Sequence, residues 1–310
     1  MQSQSLSKRV AVLVPCYNEA LTVARVIAAF RQSLPDATIY VYDNNSSDET
    51  AAIAEASGAI VRRERQQGKG NVVRRMFADI DADIYVMVDG DDTYDANAAP
   101  RLIEEMLSGP FDMVNVARVA ETNTAYRTGH ALGNHVLTSL VQKIFGSATT
   151  DMLSGYKAFS RRYVKSFPTV TSGFEIETEL VVHALDLRLP MSEIAAPYKE
   201  RPAGSVSKLR TYRDGFRILR LIGYLVKEER PLAFFSIGAG LLSALSILIG
   251  SSVLVDFIET GLVPRLPSAV LAVGLMLAAL LSLSCGFILD TVTRGRRELK
   301  RLVYLQLPAP

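Results

Sequence analysis

The sequence is poor in the residues that build disulfide frameworks and zinc sites. Its two cysteines, Cys16 and Cys285, lie far apart in apolar segments, and this spacing gives neither a disulfide framework nor a metal motif. Such sparse use of cysteine is typical of a reducing compartment. The three histidines, His130, His135 and His183, are not spaced for zinc, and we interpret them as helix residues.

Strong charge of one sign is also absent. The formal net charge is +2 at pH 7, and no basic tract is interleaved with aromatic residues, which argues against a nucleic-acid-binding protein. The stretch "MQSQSLSKRVAVLVP" has only a short apolar run after its basic pair, so we expect no secretory signal. With 310 residues, the chain is long enough for one sizeable α/β domain and an additional segment.

The last third of the sequence contains two long uncharged runs, residues 231–255 and 266–289. They extend over 25 and 24 residues, and each exceeds the roughly 20 apolar residues that cross a bilayer. A pair of buried helices in a large soluble domain is the alternative, but two such runs in tandem are rare in soluble folds. Basic residues flank the pair on its outer sides, whereas the connection 256–267 has a single arginine against two acids. The positive-inside rule therefore predicts a multi-pass hairpin with both termini in the cytoplasm.

Residues 208–230 precede the first run and show a helical pattern. Apolar side chains recur at spacings of three and four, with arginines such as Arg210, Arg213 and Arg217 between them. This pattern favours an amphipathic helix on an anionic membrane face over an ordinary surface helix. We therefore divide the chain into a cytoplasmic α/β domain (1–204), an interfacial helix region (205–230), a two-span transmembrane hairpin (231–291) and a basic cytoplasmic tail (292–310).

The first 200 residues alternate strand and helix signals. Short runs rich in Val and Ile predict strands at 9–15, 38–43, 58–63, 83–89 and 111–117, and helices lie near 19–32, 48–57, 70–80 and 97–107. This alternation predicts a mainly parallel sheet that is covered on both faces. In such sheets the ligand binds beyond the carboxyl ends of the strands.

Polar clusters follow four of the predicted strands. They read "PCYNE", "DNNSSDET", "RQQGKGN" and "DGDDTYD" in chain order. Structural turns need no such placement, so four loops that converge on one rim predict an active site.

The fourth cluster crowds like charges at the end of a strand. Turn or cap formation explains one or two of its acids, such as Asp92 or Asp95. Asp89 and Asp91 repel each other unless a cation lies between them. Oxygen ligands combined with phosphates and water are typical of Mg²⁺ or Mn²⁺. We therefore predict that Asp89 and Asp91 bind a divalent metal that bridges the diphosphate of a nucleotide sugar.

Two other loops suit the remaining parts of a nucleotide sugar. Asp43 ends a predicted strand and can accept hydrogen bonds from a ribose hydroxyl or a base imide. Gly68 and Gly70 allow the backbone to approach a ligand, and Lys69 offers a positive charge to phosphate.

The motifs "VPCYNE", "DNNSSDET", "GKGN" and "VDGDD" together resemble the family-2 glycosyltransferases of the GT-A fold. With "DMLSGYKAFSRR", "RPAGSVSKL" and the two apolar runs, nearly the whole chain is similar to polyprenyl-phosphate glycosyltransferases, the branch that includes dolichol-phosphate mannose synthases and bacterial undecaprenyl-phosphate glycosyltransferases. The resemblance implies a UDP- or GDP-sugar donor, with a UDP-hexose favoured, inversion at the anomeric carbon, and a lipid phosphate acceptor such as undecaprenyl phosphate. It also implies that the enzyme acts at the cytoplasmic face of a bacterial inner membrane and makes a lipid-linked sugar for glycan or lipopolysaccharide modification. A homo-oligomer is compatible with the resemblance.

The resemblance also assigns residues. It implies that the nucleotide is bound by Pro15, Tyr17, Glu19, Asp43, Lys69 and Asp89, that Asp89 and Asp91 bind the metal, and that Arg118 contacts the acceptor phosphate. Two positions depart from the family pattern. Thr93 stands where many relatives have glutamine, which leaves the third metal ligand open, and Lys157 stands where an arginine is common and lacks its bidentate fork.

The chemistry of a phosphate acceptor agrees with this resemblance. A phosphomonoester has a second pKa of roughly 6, so it is largely a dianion at neutral pH and needs cations rather than a base. The available cations outside the donor loops are Arg118, Arg127, Lys157, Arg201 and Lys208. We expect Asp151 to orient a partner rather than to act as a base. Glu175, Glu177 and Glu179 suit a helix start, with one of them at the sugar.

Two alternatives remain open at the level of sequence. One is a membrane-anchored glycosyltransferase that extends a polysaccharide, which would need an efficient base near Asp151. The other is a non-catalytic membrane subunit that only binds a nucleotide sugar. The intact metal pair argues against the second alternative, because binding alone does not require a neutralised diphosphate.

Overall fold

A computed structural model describes residues 8–120, 139, 142, 146, 149–168, 171–173, 175–202 and 211–309, without the side chains of residues 120, 211–215 and 217–218. Internal contacts divide the chain into two units. The first comprises Met1–Leu219 together with Lys300–Pro310, and the second comprises Arg220–Leu299.

The first unit is built around a sheet of seven strands. They are β1 (Val10–Cys16), β2 (Thr38–Asp43), β3 (Ile60–Arg63), β4 (Ile84–Met87), β5 (Met113–Ala120), β6 (Lys157–Ser160) and β7 (Met191–Tyr198), in the order β3-β2-β1-β4-β6-β5-β7. Each neighbouring pair is parallel except that β6 runs antiparallel to both β4 and β5. The expected α/β fold with a mainly parallel sheet is therefore confirmed, and the sequence pattern did not indicate the antiparallel strand β6 or the edge strand β7.

Helices alternate with the strands of the first unit. They are α1 (Val23–Ser33), α2 (Thr50–Ala56), α3 (Lys69–Asp79), α4 (Ala99–Ser108), α5 (Arg161–Ser166), α6 (Ile176–Leu187) and the start of α7 (Thr211–Glu229). Helix α1 shows why they pack on the sheet, because its buried residues Val23, Val26, Ile27 and Phe30 recur at spacings of three and four.

The direction of β6 brings two parts of the chain to one edge of the sheet. Lys157, the first residue of β6, pairs with Met87 near the end of β4 and with Asn115 in β5. Because β6 is antiparallel, residues just before Lys157 lie at the same edge as the carboxyl ends of the other strands. The motif "DMLSGYK" therefore reaches the rim that carries the four polar loops.

The end of the chain belongs to the first unit. The Tyr304 hydroxyl donates to Oδ2 of Asp112 at 2.7 Å, and the Arg162 guanidinium lies 4.6 Å from the centre of the Tyr304 ring. Asp112 is fully buried at the start of β5 and also accepts from Ser160 Oγ at 2.6 Å. The last turn of the final helix is thus held to the sheet through a buried carboxylate.

The second unit consists of the end of α7 with two long helices, α8 (Pro231–Thr260) and most of α9 (Leu266–Leu305). Both are long and apolar enough to cross a membrane. Their buried residues recur every seven positions and are mostly small: Ala239, Ser246 and Val253 on α8, and Ala272, Ala279, Gly286 and Thr293 on α9.

Small side chains every seven residues let two helix backbones approach closely. The Ser246 hydroxyl donates across this seam to the Ala272 carbonyl at 2.7 Å, and Ser282 Oγ donates to the Phe235 carbonyl at 3.1 Å. Large apolar side chains face outward, and Leu248 is 69% exposed. The helix pair therefore buries its small residues and exposes its large apolar ones, which is the reverse of a water-soluble hairpin.

Candidate active site

The candidate active site is built at the carboxyl edge of β1, β2 and β4, where the loops are tied to one another. Asn44 follows β2, and its side-chain NH2 donates to the carbonyls of Glu64 at 2.9 Å and Gln66 at 2.8 Å. The Glu19 backbone N–H after β1 donates to Thr50 Oγ1 at 2.8 Å, and Thr22 Oγ1 donates to the Gly90 carbonyl at 2.7 Å. Residues of the "DNNSSDET" motif such as Asn44 and Thr50 therefore hold the neighbouring loops in place.

Asp43 lies at the end of β2 and carries an unsatisfied oxygen. The residue is 4% exposed, and its Oδ2 is 3.4 Å from the backbone N–H of Ser46. Its Oδ1 is buried and has no hydrogen-bond partner among the described residues. A buried carboxylate oxygen without a donor is costly, so Oδ1 has the capacity to accept a further hydrogen bond.

The other residues expected at a nucleotide surround this position. Pro15 and Cys16 end β1 beside Tyr42 and Asp43 of β2. Tyr17, which follows β1, is 39% exposed, whereas Glu19 is buried. The structure thus brings Pro15, Tyr17, Glu19 and Asp43 to one part of the rim.

Asp89 and Asp91 follow β4, as expected, and they differ in burial. Asp91 is 3% exposed, whereas the Asp89 side chain is 28% exposed. Burial raises the pKa of Asp91, and the nearby charge of Asp89 raises it further, against the opposing effects of Arg201 and Thr93. Thr93 donates its hydroxyl to Asp91 Oδ1 at 2.6 Å, so the residue at the position of the third ligand supports Asp91 instead.

Gly155 of the "DMLSGYK" motif packs directly against Asp89. A Cβ at this position would overlap the Asp89 carboxylate, so a larger residue would displace that side chain. The backbone N–H of Gly155 also donates to the Tyr94 hydroxyl at 2.7 Å. The loop after β4 and the segment before β6 therefore meet at the acidic pair.

Lys69, at the start of α3, lies between two carboxylates. Its ammonium is 2.5 Å from Asp89 Oδ1 and also forms an ion pair with Glu177, which is buried at the start of α6. Gly70 packs closely against the backbone of residues 171–172. A Cβ on Gly70 would overlap the Thr171 carbonyl, and the Gly70 N–H donates to the Ser172 carbonyl at 3.1 Å. Lys69 thus lies at the acidic pair, and the GKG loop is packed against the loop that contains Thr171 and Ser172.

Arg201 forms an ion pair with Asp91 on the other side of the site. Its side chain is 28% exposed, yet its Nη1 atom is buried without a hydrogen-bond acceptor among the described residues. A guanidinium nitrogen of this kind is well suited to an anionic ligand oxygen.

Arg118 near the end of β5 is held by Asp151. Its Nε and Nη2 donate to the two carboxylate oxygens at 2.6 and 2.7 Å, and its backbone N–H donates to Oδ2 at 3.1 Å. The guanidinium also lies 5.4 Å from the centre of the Tyr198 ring. The expected orienting carboxylate and the expected phosphate-binding arginine are therefore a bidentate pair.

Lys157 lies inside the sheet, away from the surface. It is fully buried, and its ammonium donates to Asn115 Oδ1 and is 3.4 Å from the Met152 carbonyl. Burial lowers the pKa of Lys157 to about 8, although Asp151 and Glu177 raise it. The Lys157 ammonium is therefore enclosed by the protein, whereas we expected it at an acceptor phosphate.

Several expected residues lie outside this description. Arg127 and Lys208, both expected at the acceptor phosphate, are outside the described residues, as is Arg210. Arg213 and Arg217 lie on α7, but their side chains are not described. Phe216 and Leu219 of the same helix are 68% and 48% exposed.

Other site residues were missed by the reasoning from sequence. Asn115, Glu193 and Tyr198 lie in strands and carry no motif, and Tyr94 stands among the acids of the cluster "DGDDTYD" without a predicted role. The sequence predicts for Glu177 a place in an acidic helix start, with one of the three glutamates at the sugar, but not its ion pair with Lys69. Its apolar surroundings in "GFEIETEL" were the available signal that this carboxylate is buried.

The family model described as glycosyl transferase family 2 matches residues 11–167. The protein RfbJ of Shigella flexneri is 54% identical over 126 residues, covering 40% of this chain and 97% of RfbJ. Glycosyltransferase AglJ of Haloferax volcanii is 34% identical over 228 residues, covering 73% of this chain and 75% of AglJ. A dolichyl-phosphate hexose transferase of the same organism is 26% identical over 220 residues, covering 71% of this chain and 95% of that protein.

Solved structures show the same fold. Glucosyl-3-phosphoglycerate synthase from Mycobacterium tuberculosis, in complex with Mn²⁺, UDP-glucose and glycerol 3-phosphate, superimposes with a TM-score of 0.58 at 23% identity. The match covers 71% of this chain and 80% of the synthase. The fold and the rim of polar loops define a GT-A glycosyltransferase. The chain belongs to glycosyl transferase family 2.

Proposed function

We propose that this enzyme transfers a sugar from a nucleoside diphosphate sugar to a polyprenyl phosphate in the presence of Mg²⁺ or Mn²⁺. A UDP-hexose is the favoured donor and undecaprenyl phosphate the favoured acceptor. The observation that carries the proposal is the pair Asp89 and Asp91 in the loop after β4, flanked by the cations Lys69 and Arg201.

The donor half of the site supports this proposal through two unsatisfied atoms. Oδ1 of Asp43 needs a donor, which a ribose hydroxyl or base imide supplies, and Nη1 of Arg201 needs an acceptor, which a phosphate oxygen supplies. One atom lies beside the end of β1 and the other beside Asp91. A nucleoside diphosphate carries both a hydrogen-bond donor for Asp43 and phosphate oxygens that accept from Arg201.

The acidic pair fits a divalent cation. The raised pKa of Asp91 reflects its burial and its proximity to Asp89, and a cation held by both carboxylates would relieve that repulsion. Among the described residues, no group of three or more acidic, histidine or cysteine side chains is arranged to bind a metal. Asp89 and Asp91 would hold the ion together with donor phosphates and water, as is usual for Mg²⁺. When bound, the ion supplies positive charge to the departing diphosphate.

The acceptor half of the site supports a phosphate nucleophile. A phosphate dianion needs orientation and positive charge rather than a base, and Arg118 can provide both. Asp151 is engaged by Arg118 through both oxygens, which suits an orienting role and leaves it poorly placed to remove a proton. This arrangement favours a phosphate acceptor over the hydroxyl of a growing polysaccharide.

The second unit supports a lipid acceptor. Its two helices expose large apolar side chains along their length, and an enzyme anchored in a bilayer by α8 and α9 meets acceptors that have their tails in the same bilayer. A relative named as a dolichyl-phosphate hexose transferase matches over 71% of this chain. We further propose a cytoplasmic catalytic unit on a bacterial inner membrane, with inversion at the anomeric carbon.

The test is a transfer assay with the purified full-length chain in detergent and lipid. A panel of UDP- and GDP-sugars is offered with Mn²⁺ and either undecaprenyl phosphate or undecaprenol, which differs only in lacking the phosphate. We expect a lipid-linked sugar from one UDP-hexose with undecaprenyl phosphate and none with undecaprenol. Transfer to undecaprenol, or to a polysaccharide primer alone, would contradict a phosphate acceptor. Donor binding without any transfer would favour a non-catalytic subunit.

A further inference from the structure

Three residues form a row across β6, β5 and β7 behind the acceptor half of the site. Asn115 in β5 pairs in register with Lys157 in β6 and with Glu193 in β7. Its side-chain oxygen accepts from the Lys157 ammonium, and its NH2 donates to Glu193 Oε2 at 2.7 Å. Asn115 and Lys157 are fully buried.

The two charges fix the orientation of the amide. If the Asn115 amide were reversed, its NH2 would face an ammonium and its oxygen would face a carboxylate, and both contacts would be repulsive. The buried lysine and the glutamate therefore hold the Asn115 NH2 on the side of β7. A buried charge such as the Lys157 ammonium is seldom retained for stability alone, since well-packed apolar residues do as well or better.

The row holds the segment 149–151. The Asn115 NH2 also donates to Thr149 Oγ1 at 2.8 Å and to the Asp151 carbonyl at 3.0 Å. The Glu193 carboxylate accepts from the Thr149 hydroxyl, from the Thr150 N–H at 3.0 Å and from the Thr150 hydroxyl at 2.5 Å.

Glu193 is ionised in this setting. Burial alone would raise the pKa of Glu193, but the hydrogen bonds from Thr149, Thr150 and Asn115 outweigh it and hold the pKa below its usual range. An ionised carboxylate can accept all of these hydrogen bonds at once, which a neutral amide in its place could not do.

The segment 149–151 in turn determines where Arg118 lies. Asp151 receives three hydrogen bonds from Arg118, two of them from the guanidinium. A shift of Asp151 would therefore carry the guanidinium with it, and misplacement of a substrate-orienting group by about 1 Å can cost about 100-fold in rate.

We propose that Glu193 is a positioning residue that acts through Thr150 and Asp151 to hold the Arg118 guanidinium in place for the acceptor phosphate. This inference rests on the proposed function, because it takes Arg118 as the group that binds the lipid phosphate. Asn115 and Lys157 complete the support from the neighbouring strands β5 and β6.

The first measurement is the steady-state kinetics of Glu193→Gln in the full-length enzyme, with undecaprenyl phosphate varied at saturating donor. Glutamine keeps the shape of the side chain but offers one acceptor oxygen and a donor in place of the second. We expect kcat/KM for undecaprenyl phosphate to fall about tenfold, the effect of a coupling of roughly 1–2 kcal/mol, with the Kd of the nucleotide sugar unchanged. An equal loss of donor binding, or no loss of acceptor efficiency, would overturn the inference.

The second measurement is a double-mutant cycle with Arg118→Ala. If Glu193 acts through Arg118, Glu193→Gln should have less than about a twofold effect once Arg118 is absent. A general structural role predicts the same tenfold loss in both backgrounds, and that result would overturn the inference. If Arg118→Ala alone leaves the acceptor kinetics unchanged, the phosphate assignment of Arg118 fails, and the positioning role fails with it.

Two further variants complete the design. Ser192→Ala, at the neighbouring position of β7, removes a hydrogen bond of 2.5 Å to Glu105 and should leave the acceptor kinetics unchanged.

If Glu193→Gln does not fold, Thr150→Val takes its place, because it removes one hydrogen-bond donor to Glu193 with little change in shape. We then expect a smaller loss of acceptor efficiency that disappears in the Arg118→Ala background. Unchanged efficiency in Thr150→Val would overturn the proposal.

Discussion

The ammonium of Lys69 lies 2.5 Å from Oδ1 of Asp89 at the carboxyl edge of the sheet. Burial opposes the charge on Lys69, but Asp89 and Glu177 outweigh it and raise the pKa of the lysine. The acidic pair therefore has an internal counter-ion, and a divalent cation held by Asp89 must share that carboxylate with Lys69. With Arg201 at Asp91, two basic side chains face the three carboxylates Asp89, Asp91 and Glu177.

The first prediction concerns this acidic pair. Asp89→Asn and Asp91→Asn should each lower transfer at least about 100-fold, because several kcal/mol of charge stabilisation are lost at the leaving diphosphate. EDTA should have the same effect on the unchanged enzyme, and Mn²⁺ or Mg²⁺ should restore transfer. The readout is the release of nucleoside diphosphate in the presence of acceptor.

Asp92→Asn is the matched control for this pair. Asp92 pairs with Arg25 at the surface at 2.8 Å and has a φ of 61°, which asparagine tolerates. It should retain activity within about a factor of two, as expected for an exposed ion pair. Full activity of the Asp89→Asn, Asp91→Asn double variant would refute the metal assignment.

The second prediction concerns the end of the chain. Tyr304→Phe removes the hydrogen bond to the buried Asp112 and should destabilise the first unit by about 1.5 kcal/mol, the usual contribution of a hydrogen bond to a charged group. Denaturant unfolding of the protein in detergent measures this loss. Tyr40→Phe, which removes a hydroxyl from a half-buried tyrosine on β2, should change stability less. Equal stability of both variants would show that the contact at Asp112 contributes nothing.

The third prediction concerns the pH dependence of stability. Burial, with a smaller effect of Lys300, lowers the pKa of His183 from 6.5 to about 3. Between these values the unfolded chain binds a proton that the folded chain does not, so stability falls as the pH decreases from 6.5 toward 3. At pH 5 this amounts to about 2 kcal/mol.

His183→Gln should remove this contribution. Compared with the unchanged protein, the variant should lose about 2 kcal/mol less stability between pH 7 and pH 5, and the two should change in parallel between pH 7 and pH 9. Unfolding curves at the three pH values measure the difference. If the variant and the unchanged protein lose the same stability between pH 7 and pH 5, folding does not lower the pKa of His183, and the prediction is wrong.

The fourth prediction concerns topology. A reporter fused after Pro310 and a protease site placed before Val10 should both be accessible from the cytoplasm, whereas a cysteine introduced in the connection 256–267 should be labelled from outside. The basic residues that flank the helix pair are the physical reason. A catalytic unit found outside would have no access to nucleotide sugars and would contradict the assignment.

Much of the sheet could be predicted from sequence. The strands β1, β2, β4 and β5 are Val- and Ile-rich runs because both faces of a parallel sheet are buried, and such runs stand out. The loops after them could also be placed, since strand direction alone determines which edge they reach. Strand β6 could not, because "KAFS" is short and its lysine indicates a surface.

The roles of single residues were harder to predict. Lys157 looks like an exposed cation until Asn115 is known to lie beside it in the sheet. Glu193 sits in the unremarkable strand "MSEIAAPY", and its partners are 43 or more residues away in sequence. Motifs identify groups that touch a ligand, whereas long-range strand pairing determines which groups support them.

The most direct test of the central claim follows the acceptor phosphate itself. Undecaprenyl phosphate, the favoured UDP-hexose and Mn²⁺ are incubated with the full-length enzyme, and the phosphorus NMR signal of the lipid is recorded together with the amount of UDP released. We predict that the lipid monoester becomes a sugar-linked phosphodiester, with one UDP released for each monoester consumed and with Asp91→Asn inactive. Release of UDP while the lipid monoester remains unchanged would contradict the account.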